Sequence, residues 1–252
     1  GKLHVNPEAS FPFDVRRTDS AFTRRVREVA ADAEKFLKET GSQPFFLMVN
    51  YSDPHAFRNA DAVGGWDFPP QVDGLPANPL QPGERTLFGW QGIDTPLQRD
   101  RTANYFNAVT RLDDGIGMLM EVLEKSGHAD DTLVIFLSDH GPPFARGKTT
   151  TYEMGLRIPY IVRWPGVSKS MASKAMVSTV DVLPTILDAT GVKPAHNMHG
   201  RSLRPVLERP GAQWREFLVG EFHFHGGRPF FPRRAIRDNR FQLIHNVLAG
   251  KN

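Results

Sequence analysis

The sequence LVIFLSDHG, residues 133–141, places an acid and an imidazole directly after an apolar run. Five consecutive apolar residues form a segment of strand length, and a strand without alternation is typical of one buried on both faces of a sheet. In open α/β sheets, ligands bind beyond the carboxyl ends of the strands. The order of residue types therefore predicts that Asp139 and His140 lie at a binding site, with Gly141 allowing the chain to turn away.

The rest of the chain alternates between helical and strand-like patterns. This alternation predicts an α/β fold with a doubly wound, mostly parallel sheet flanked by helices. Near the C-terminus, AIRDNRFQLI (235–244) predicts an antiparallel hairpin around an Asp-Asn turn. We therefore expect a catalytic α/β domain over 1–200 and the start of a small antiparallel subdomain over 201–252. The predicted elements are helices at 20–40, 100–126 and 178–191, strands at 44–50, 133–137 and 157–164, and a long loop at 53–96, a length that is typical of functional loops.

Composition limits the classes of function. The chain has 252 residues, of which 40% are hydrophobic and 23% charged, as in an ordinary globular protein. Its formal charge is only +3 and the basic residues are scattered, so no nucleic-acid partner is expected. No segment has the length and polarity of a membrane span, so no membrane partner is expected either. The absence of cysteine excludes disulfides, thiolate nucleophiles and zinc–cysteine sites.

Four further residues are candidates for binding an anion. Lys148 follows Gly147 in a threonine-rich loop, where a lysine could hold a tetrahedral oxyanion. His55 follows the predicted strand at 44–50, and Lys2 and His4 lie in the N-terminal GKLH. Taken singly, each also fits a plain structural role, such as a solvated lysine, a hydrogen-bonded loop histidine or a flexible terminus. The pair Asp139–His140 likewise fits either a capped turn or half of a divalent-metal site, in which calcium would favour the carboxylate over the imidazole.

Taken together and in this order, the segments resemble the sulfatase family of the alkaline-phosphatase-like superfamily, and within it the sulfamidases (heparan N-sulfatases). The resemblance rests on five stretches that run from residue 1 almost to the end. They are GKLHVNPEASFPFD (1–14), PFFLMVNYSDPH (44–55), TLVIFLSDHGPPFARGKTT (132–150), GRSLRPVL (200–207) and PRRAIRDNRFQLIHN (232–246).

The resemblance implies a hydrolase of sulfate esters or sulfamates on glycosaminoglycan-type carbohydrate, such as N-sulfoglucosamine. It makes Asp139 and His140 ligands of one divalent ion, usually calcium. It makes Lys2, His4, His55 and Lys148 catalytic, with Lys2, His55 and Lys148 also binding the sulfate group. A sulfuryl group in transfer carries negative charge, which lysines and a cation stabilise, and a histidine can protonate the leaving group.

The chain also departs from the family pattern. The family's nucleophile is a hydrated formylglycine made from the first residue of C/S-x-P-x-R, and here the Ser-x-Pro triplets at Ser10, Ser42 and Ser52 are not followed by that arginine. The family's upstream pair of metal-binding aspartates is not found either, since Asp113-Asp114 lies within a predicted helix. We therefore expect the chain to be the middle and later part of a sulfatase, inactive alone and with a metal site that is incomplete. His140 and Lys148 stand where sulfamidases usually have asparagine and arginine, so the sequence does not determine which sugar carries the sulfate.

Two alternatives remain at this point. A phosphoesterase of the same superfamily would also carry Asp-His-Gly after a strand, and a non-catalytic carbohydrate-binding remnant would not need the nucleophile. A periplasmic, secreted or lysosomal-type location is expected only from the polymeric substrates of such enzymes.

Overall fold

The computed structural model describes residues 10–16, 24–226 and 230–250. The chain divides into two compact units, residues 1–129 and 130–252. The domain boundary expected near residue 200 is a different division and stays a prediction. Within the described residues, no helix is both long and apolar enough to cross a bilayer.

The first unit is built on two helices, α1 (Val26–Thr40) and α2 (Pro96–Lys125), which pack against each other. Thr95 caps α2, because its side-chain oxygen accepts a hydrogen bond from the amide of Gln98. Both predicted helices are confirmed, although α2 begins at Pro96 rather than near residue 100. The part of the first predicted helix before residue 24 lies outside the described residues.

The apolar positions of α2 are less buried than their spacing suggests. Helical periodicity predicts one apolar face of Val109, Leu112, Ile116, Leu119 and Leu123; Leu123 is buried, and the other four are only half-buried. The residues that are fully buried include Thr102, Asn107 and Arg111, because this helix receives polar groups of the long loop as well as apolar ones.

The prediction of a strand at 44–50 is wrong, because this segment is not paired with any described strand. Its residues alternate between half-buried and exposed, and Phe46 and Met48 are 59% and 45% exposed. No described strand is hydrogen-bonded to it. Hydrophobic pattern can indicate an extended segment, but a strand exists only where a second segment satisfies its backbone groups.

The long loop, 53–96, is confirmed as largely irregular and contains a two-stranded antiparallel ribbon. Its strands are β1 (Phe57–Arg58) and β2 (Trp66–Asp67), in which Arg58 pairs with Trp66. Aromatic contacts fasten the loop to the first half of α2, since the Phe68 and Phe88 rings lie 5.6 and 6.1 Å from that of Tyr105.

The second unit contains the strand that precedes Asp139. β3 (Val134–Leu137) pairs with β4 (Tyr160–Arg163), and the connection between them contains only the four-residue helix α3 (Glu153–Leu156). The predicted positions of both strands are confirmed, but β3 and β4 are antiparallel rather than parallel. Parallel neighbours need a crossover that carries the chain back to the same end, usually a full helix, and this connection instead returns as a loop.

The remainder of the second unit follows the prediction closely. α4 (Val182–Thr190) ends at Gly191, whose φ of 70° is the left-handed value that favours glycine. A short helix, α5 (Arg204–Glu208), precedes a three-stranded antiparallel sheet of β5 (Leu218–Phe222), β6 (Arg233–Arg237) and β7 (Gln242–Asn246). The β6–β7 pair is the hairpin expected at 235–244, and the small antiparallel sheet is therefore confirmed.

Candidate active site

Asp139 and His140 lie directly after β3, and their side chains meet. Asp139 Oδ2 is 3.5 Å from His140 Nε2, and Asp139 Oδ1 accepts a hydrogen bond of 3.0 Å from the His140 amide. The Asp139 side chain is 69% exposed and that of His140 is 33% exposed. The antiparallel partner of β3 does not alter this arrangement, because the end of β3 alone delivers both groups to one place.

The ring of His140 is oriented by the backbone. Its Nδ1 lies 2.8 Å from the carbonyl oxygen of Gly141, which can only accept, so Nδ1 carries the proton. In the neutral ring, Nε2 then presents a lone pair on the side of the Asp139 carboxylate. A histidine that donates one ring nitrogen to a carbonyl and offers the other is the usual arrangement of a metal ligand.

These two side chains fit a divalent ion as part of its ligand set. Asp139 offers oxygen and His140 offers nitrogen on the same side of the loop. Within the ranges that the structure describes, no group of three or more acidic, histidine or cysteine side chains could hold a metal. Calcium takes about six to eight ligands, mostly oxygens, so the pair would supply only a part of what it requires.

The loop that carries Lys148 is tightly folded. The Lys148 amide donates to Pro142 O (2.8 Å), and the Gly147 amide donates to Phe144 O (2.9 Å). Gly147 is buried, and a Cβ there would overlap the carbonyl oxygen of Pro142, so only glycine fits. Thr149 has a φ of 68°, which is costly for a β-branched residue and is found mainly where the surrounding structure enforces it.

Two contacts from the C-terminal sheet fasten the end of this loop. Gln242 on β7 donates to Thr151 O at 2.8 Å, and Arg237 on β6 forms an ion pair with Glu153 at the start of α3. The Gly141 amide donates to Gly155 O at 3.1 Å, which joins the two ends of the connection. The segment from Asp139 to Glu153 is thus held by backbone and side-chain bonds along most of its length.

His55 belongs to the first unit and follows a buried ion cluster. The Asp53 side chain is 1% exposed and accepts hydrogen bonds of 2.7 Å from both Arg24 and Arg111. Arg24 also donates to the His55 carbonyl oxygen at 3.1 Å, and His55 Nδ1 lies 2.5 Å from Ala56 O. Burial lowers the pKa of Arg24, against the opposing effect of Asp53. The cluster therefore fixes the backbone that presents His55.

Sequence reasoning missed the structural importance of Asp53 and Arg111. Arg111 is fully buried and also donates to Leu75 O and Pro69 O, each at 3.2 Å. No local pattern marked Arg111 for burial, because its helical neighbours Asn107, Ala108, Asp114 and Gly115 are polar or small. A buried charge needs a partner, and Asp53 is 58 residues away in the sequence.

A third missed residue is Asp181, whose contacts give the segment GRSLRPVL its role. Asp181 is fully buried, and Arg215 donates to both of its oxygens, at 2.5 and 2.7 Å. Burial alone would raise the pKa of Asp181, but the bonds from Arg215 and from the Ser178 and Arg201 amides hold this pKa below its usual value. Because Arg201 and Leu203 also bond to residues 181 and 185, the phrase fastens the chain to α4 and is structural in this unit.

The other predicted site residues are placed as follows. The structure brings Asp139, His140 and Lys148 onto one loop of the second unit, while His55 lies in the first unit. Lys2 and His4 lie outside the described residues, and their roles stay predictions. Asp113 and Asp114 lie within α2, as expected.

Comparison with known proteins gives matches over nearly the whole chain. The family model named Sulfatase matches residues 15–192, and the model of the N-sulphoglucosamine sulphohydrolase C-terminal region matches 145–251. Human N-sulphoglucosamine sulphohydrolase is 32% identical over 98% of this chain and 54% of its own length.

Solved structures agree with this result. An enzyme crystallised with its substrate D-glucosamine-2-N,6-O-disulfate is 30% identical, with a TM-score of 0.55 over 61% of this chain and 34% of its own. A phosphonate monoester hydrolase from Silicibacter pomeroyi is 25% identical, with a TM-score of 0.65 over 91% of this chain and 52% of its own. The α/β fold class of the alkaline-phosphatase-like superfamily is thereby confirmed.

The chain belongs to the sulfatase family. It spans about half, or less, of the length of the curated relatives that it matches. Membership of this family supports a sulfohydrolase activity by resemblance, and it is compatible with a divalent metal.

Proposed function

We propose that the whole protein containing this chain hydrolyses sulfate esters or sulfamates of glycosaminoglycan-type carbohydrate, with N-sulfoglucosamine as the first substrate to test. The observation that carries the proposal is the joint match of a sulfatase model to residues 15–192 and of an N-sulphoglucosamine sulphohydrolase C-terminal model to the overlapping residues 145–251. The contact of Asp139 with His140 and the hydrogen-bonded loop of Lys148 support it, because a carboxylate, an imidazole and a lysine on one loop suit a cation and an anion.

In this proposal each residue has one task. Lys148, with Lys2, binds the sulfate oxygens and stabilises the charge that they carry during transfer. His55 donates a proton to the leaving oxygen or nitrogen, so that the sugar leaves as the free alcohol or amine while the sulfuryl group passes to a nucleophile from outside this chain, and His4 belongs to the same basic shell. Asp139 Oδ2 and His140 Nε2 would hold a calcium ion, which when bound supplies further positive charge to the sulfate.

A secreted, periplasmic or lysosomal-type location is part of the proposal, since sulfated polysaccharides lie outside the cytoplasm. Calcium as the particular ion is likewise proposed. Sulfated carbohydrate is the only partner that the proposal requires.

The proposal is tested by the release of sulfate from N-sulfoglucosamine and from an aryl sulfate by the whole protein. In Lys148→Ala, kcat should fall by at least ~100-fold, the scale of losing one charge partner of a transition state. Lys169→Ala is the matched control, because Lys169 is an exposed lysine of the same unit, and it should retain wild-type turnover. A near-normal kcat in Lys148→Ala would show that Lys148 is merely solvated.

The likeness to a phosphonate monoester hydrolase favours one second candidate, a phosphoesterase of the same superfamily. Hydrolysis of an aryl phosphonate monoester, compared with that of the aryl sulfate by the release of the aryl alcohol, separates the two. A kcat/KM that is higher for the phosphonate would favour this second candidate over the sulfatase.

A further inference from the structure

The ribbon that follows His55 presents an exposed arginine and an exposed tryptophan on one face. Arg58 on β1 and Trp66 on β2 are directly opposite each other, so their side chains lie on the same side of the ribbon. Both are exposed, Trp66 to 45%. On the other face, Phe57 and Asp67 are half-buried, and the guanidinium of Arg24 lies 6.0 Å from the Phe57 ring. The ribbon thus has one face toward the unit and one toward solvent.

The position of Trp66 is fixed by its backbone. Arg101 on α2 donates to Val63 O and to Trp66 O, and the Asn59 amide donates to Gly65 O at 3.1 Å. Gly64 and Gly65 close the turn with φ values of 78° and 72°, which favour glycine. The two ends of the turn are therefore hydrogen-bonded to each other and to α2, and these bonds fix the backbone that carries the indole.

The exposed face is next to the proposed acid. The rings of His55 and Trp66 are 6.3 Å apart at 76°, an edge-to-face contact. The Arg58 guanidinium lies 5.6 Å from the centre of the Trp66 ring. Histidine, indole and guanidinium thus form one continuous surface within the first unit.

Arg58 has the capacity to bind an anion in this position. Among the described residues it forms no ion pair and donates no hydrogen bond. A guanidinium that lies over an aromatic ring uses its flat face, which leaves the N–H donors at its edges for an oxyanion. An exposed indole offers an apolar surface to the C–H face of a pyranose. The backbone pairing of the ribbon does not require an arginine and a tryptophan at these two exposed positions.

We propose that Arg58 and Trp66 form a specificity subsite for the sugar that carries the scissile sulfate. Arg58 binds a second anionic group of the substrate, either another sulfate or the carboxylate of a neighbouring uronic acid, and Trp66 contacts the sugar ring. The inference rests on the proposed function, because it places the subsite beside His55 as the residue that protonates the leaving group.

The test uses the whole protein and three substrates that differ in anionic groups. N-sulfoglucosamine carries only the scissile group, its 6-O-sulfated form adds a sulfate, and a uronic acid–N-sulfoglucosamine disaccharide adds a carboxylate. In Arg58→Met, kcat/KM for at least one of the two substrates with an added anionic group should fall at least ~10-fold relative to that for N-sulfoglucosamine. The loss should come from a higher KM, on the scale of one charge-assisted hydrogen bond. The substrate whose kcat/KM falls shows whether Arg58 binds the added sulfate or the carboxylate.

The controls separate a binding role from a structural one. Arg85→Met, an exposed arginine of the same long loop, should leave all substrate ratios unchanged. Arg58→Lys should restore part of the preference, and Trp66→Phe should retain more affinity than Trp66→Ala.

Unchanged ratios in Arg58→Met, or an equal loss on all three substrates, would overturn the subsite while leaving the proposed function intact. If the wild-type protein released sulfate from none of the three, the proposed function would be wrong and the subsite would be wrong with it.

Discussion

At the scale of single residues, the metal site that we propose in the second unit rests on two unequal partners. Asp139 is an exposed carboxylate, whereas His140 is held by a hydrogen bond to Gly141 O. Carboxylate oxygen suits calcium better than imidazole does, so the two should not be equivalent.

Substitution of each partner by asparagine tests this inequality. In the whole protein, Asp139→Asn should abolish sulfate release, because it removes the charged oxygen ligand. His140→Asn should be tolerated, because it restores the residue type expected in sulfamidases and still offers an oxygen. Sulfate release and calcium affinity by titration calorimetry measure both effects, and an equal loss in the two variants would contradict the assignment.

Asp53 is the residue on which the stability of the first unit should depend most. It is the shared acceptor of Arg24 and Arg111, and Asp53→Ala leaves a fully buried guanidinium without its carboxylate. Breaking one partner of a buried pair costs about 3–5 kcal/mol, so the free energy of unfolding in urea should fall by that amount.

The control for this variant is Asp61→Ala, an exposed acid of the same loop, which should change the free energy of unfolding by no more than about 0.5 kcal/mol. Similar values for the two variants would mean that the Asp53 cluster is not a determinant of stability.

At the scale of elements, the contact of α1 with α2 depends on a glycine. A Cβ at Gly115 would lie 2.7 Å from Val26 Cγ1 and 3.2 Å from Tyr51 Cε1, while one at Gly117 would meet no atom within 4 Å. Tyr51 also donates to Gly115 O at 3.0 Å, and burial raises the pKa of Tyr51 to about 12. The two glycines of one helix therefore have opposite roles.

Alanine at these positions should shift stability in opposite directions. Gly117→Ala should raise the free energy of unfolding by about 0.5–1 kcal/mol, because alanine loses less conformational freedom in a helix. Gly115→Ala should lower it by roughly 1–3 kcal/mol, because the added methyl group crowds the interface. Urea unfolding of both variants measures the difference, and a stabilising Gly115→Ala would show that the helices are not in close contact there.

At the scale of the whole molecule, the chain contains candidate binding groups but no C/S-x-P-x-R sequence. Its two units are compact, and no group of three or more His, Cys, Asp or Glu side chains among the described residues could hold a metal. Binding groups and a nucleophile are separate requirements of sulfate transfer.

We therefore expect the 252-residue chain alone to release no sulfate from an aryl sulfate or from N-sulfoglucosamine. A circular dichroism spectrum with helical signal would establish that the tested chain is folded. Robust turnover by the folded chain would contradict the need for a nucleophile outside it.

The sequence by itself determined the elements whose signals are local. The positions of α1, α2, α4 and the β6–β7 hairpin follow from periodicity, from the glycines directly after α1 and α4 (Gly41 and Gly191) and from the Asp-Asn turn, all of which act over a few residues. The adjacency of Asp139 and His140 after β3 and the family resemblance are also properties of order along the chain.

Only the tertiary structure decided the features that depend on partners distant in sequence. The antiparallel pairing of β3 with β4, the unpaired state of 44–50, the burial of Arg111 on Asp53 and the face shared by Arg58 and Trp66 each require a second segment. Hydrogen-bond partners and the desolvation of charge are set by three-dimensional contacts, and a sequence pattern records only that a partner is needed.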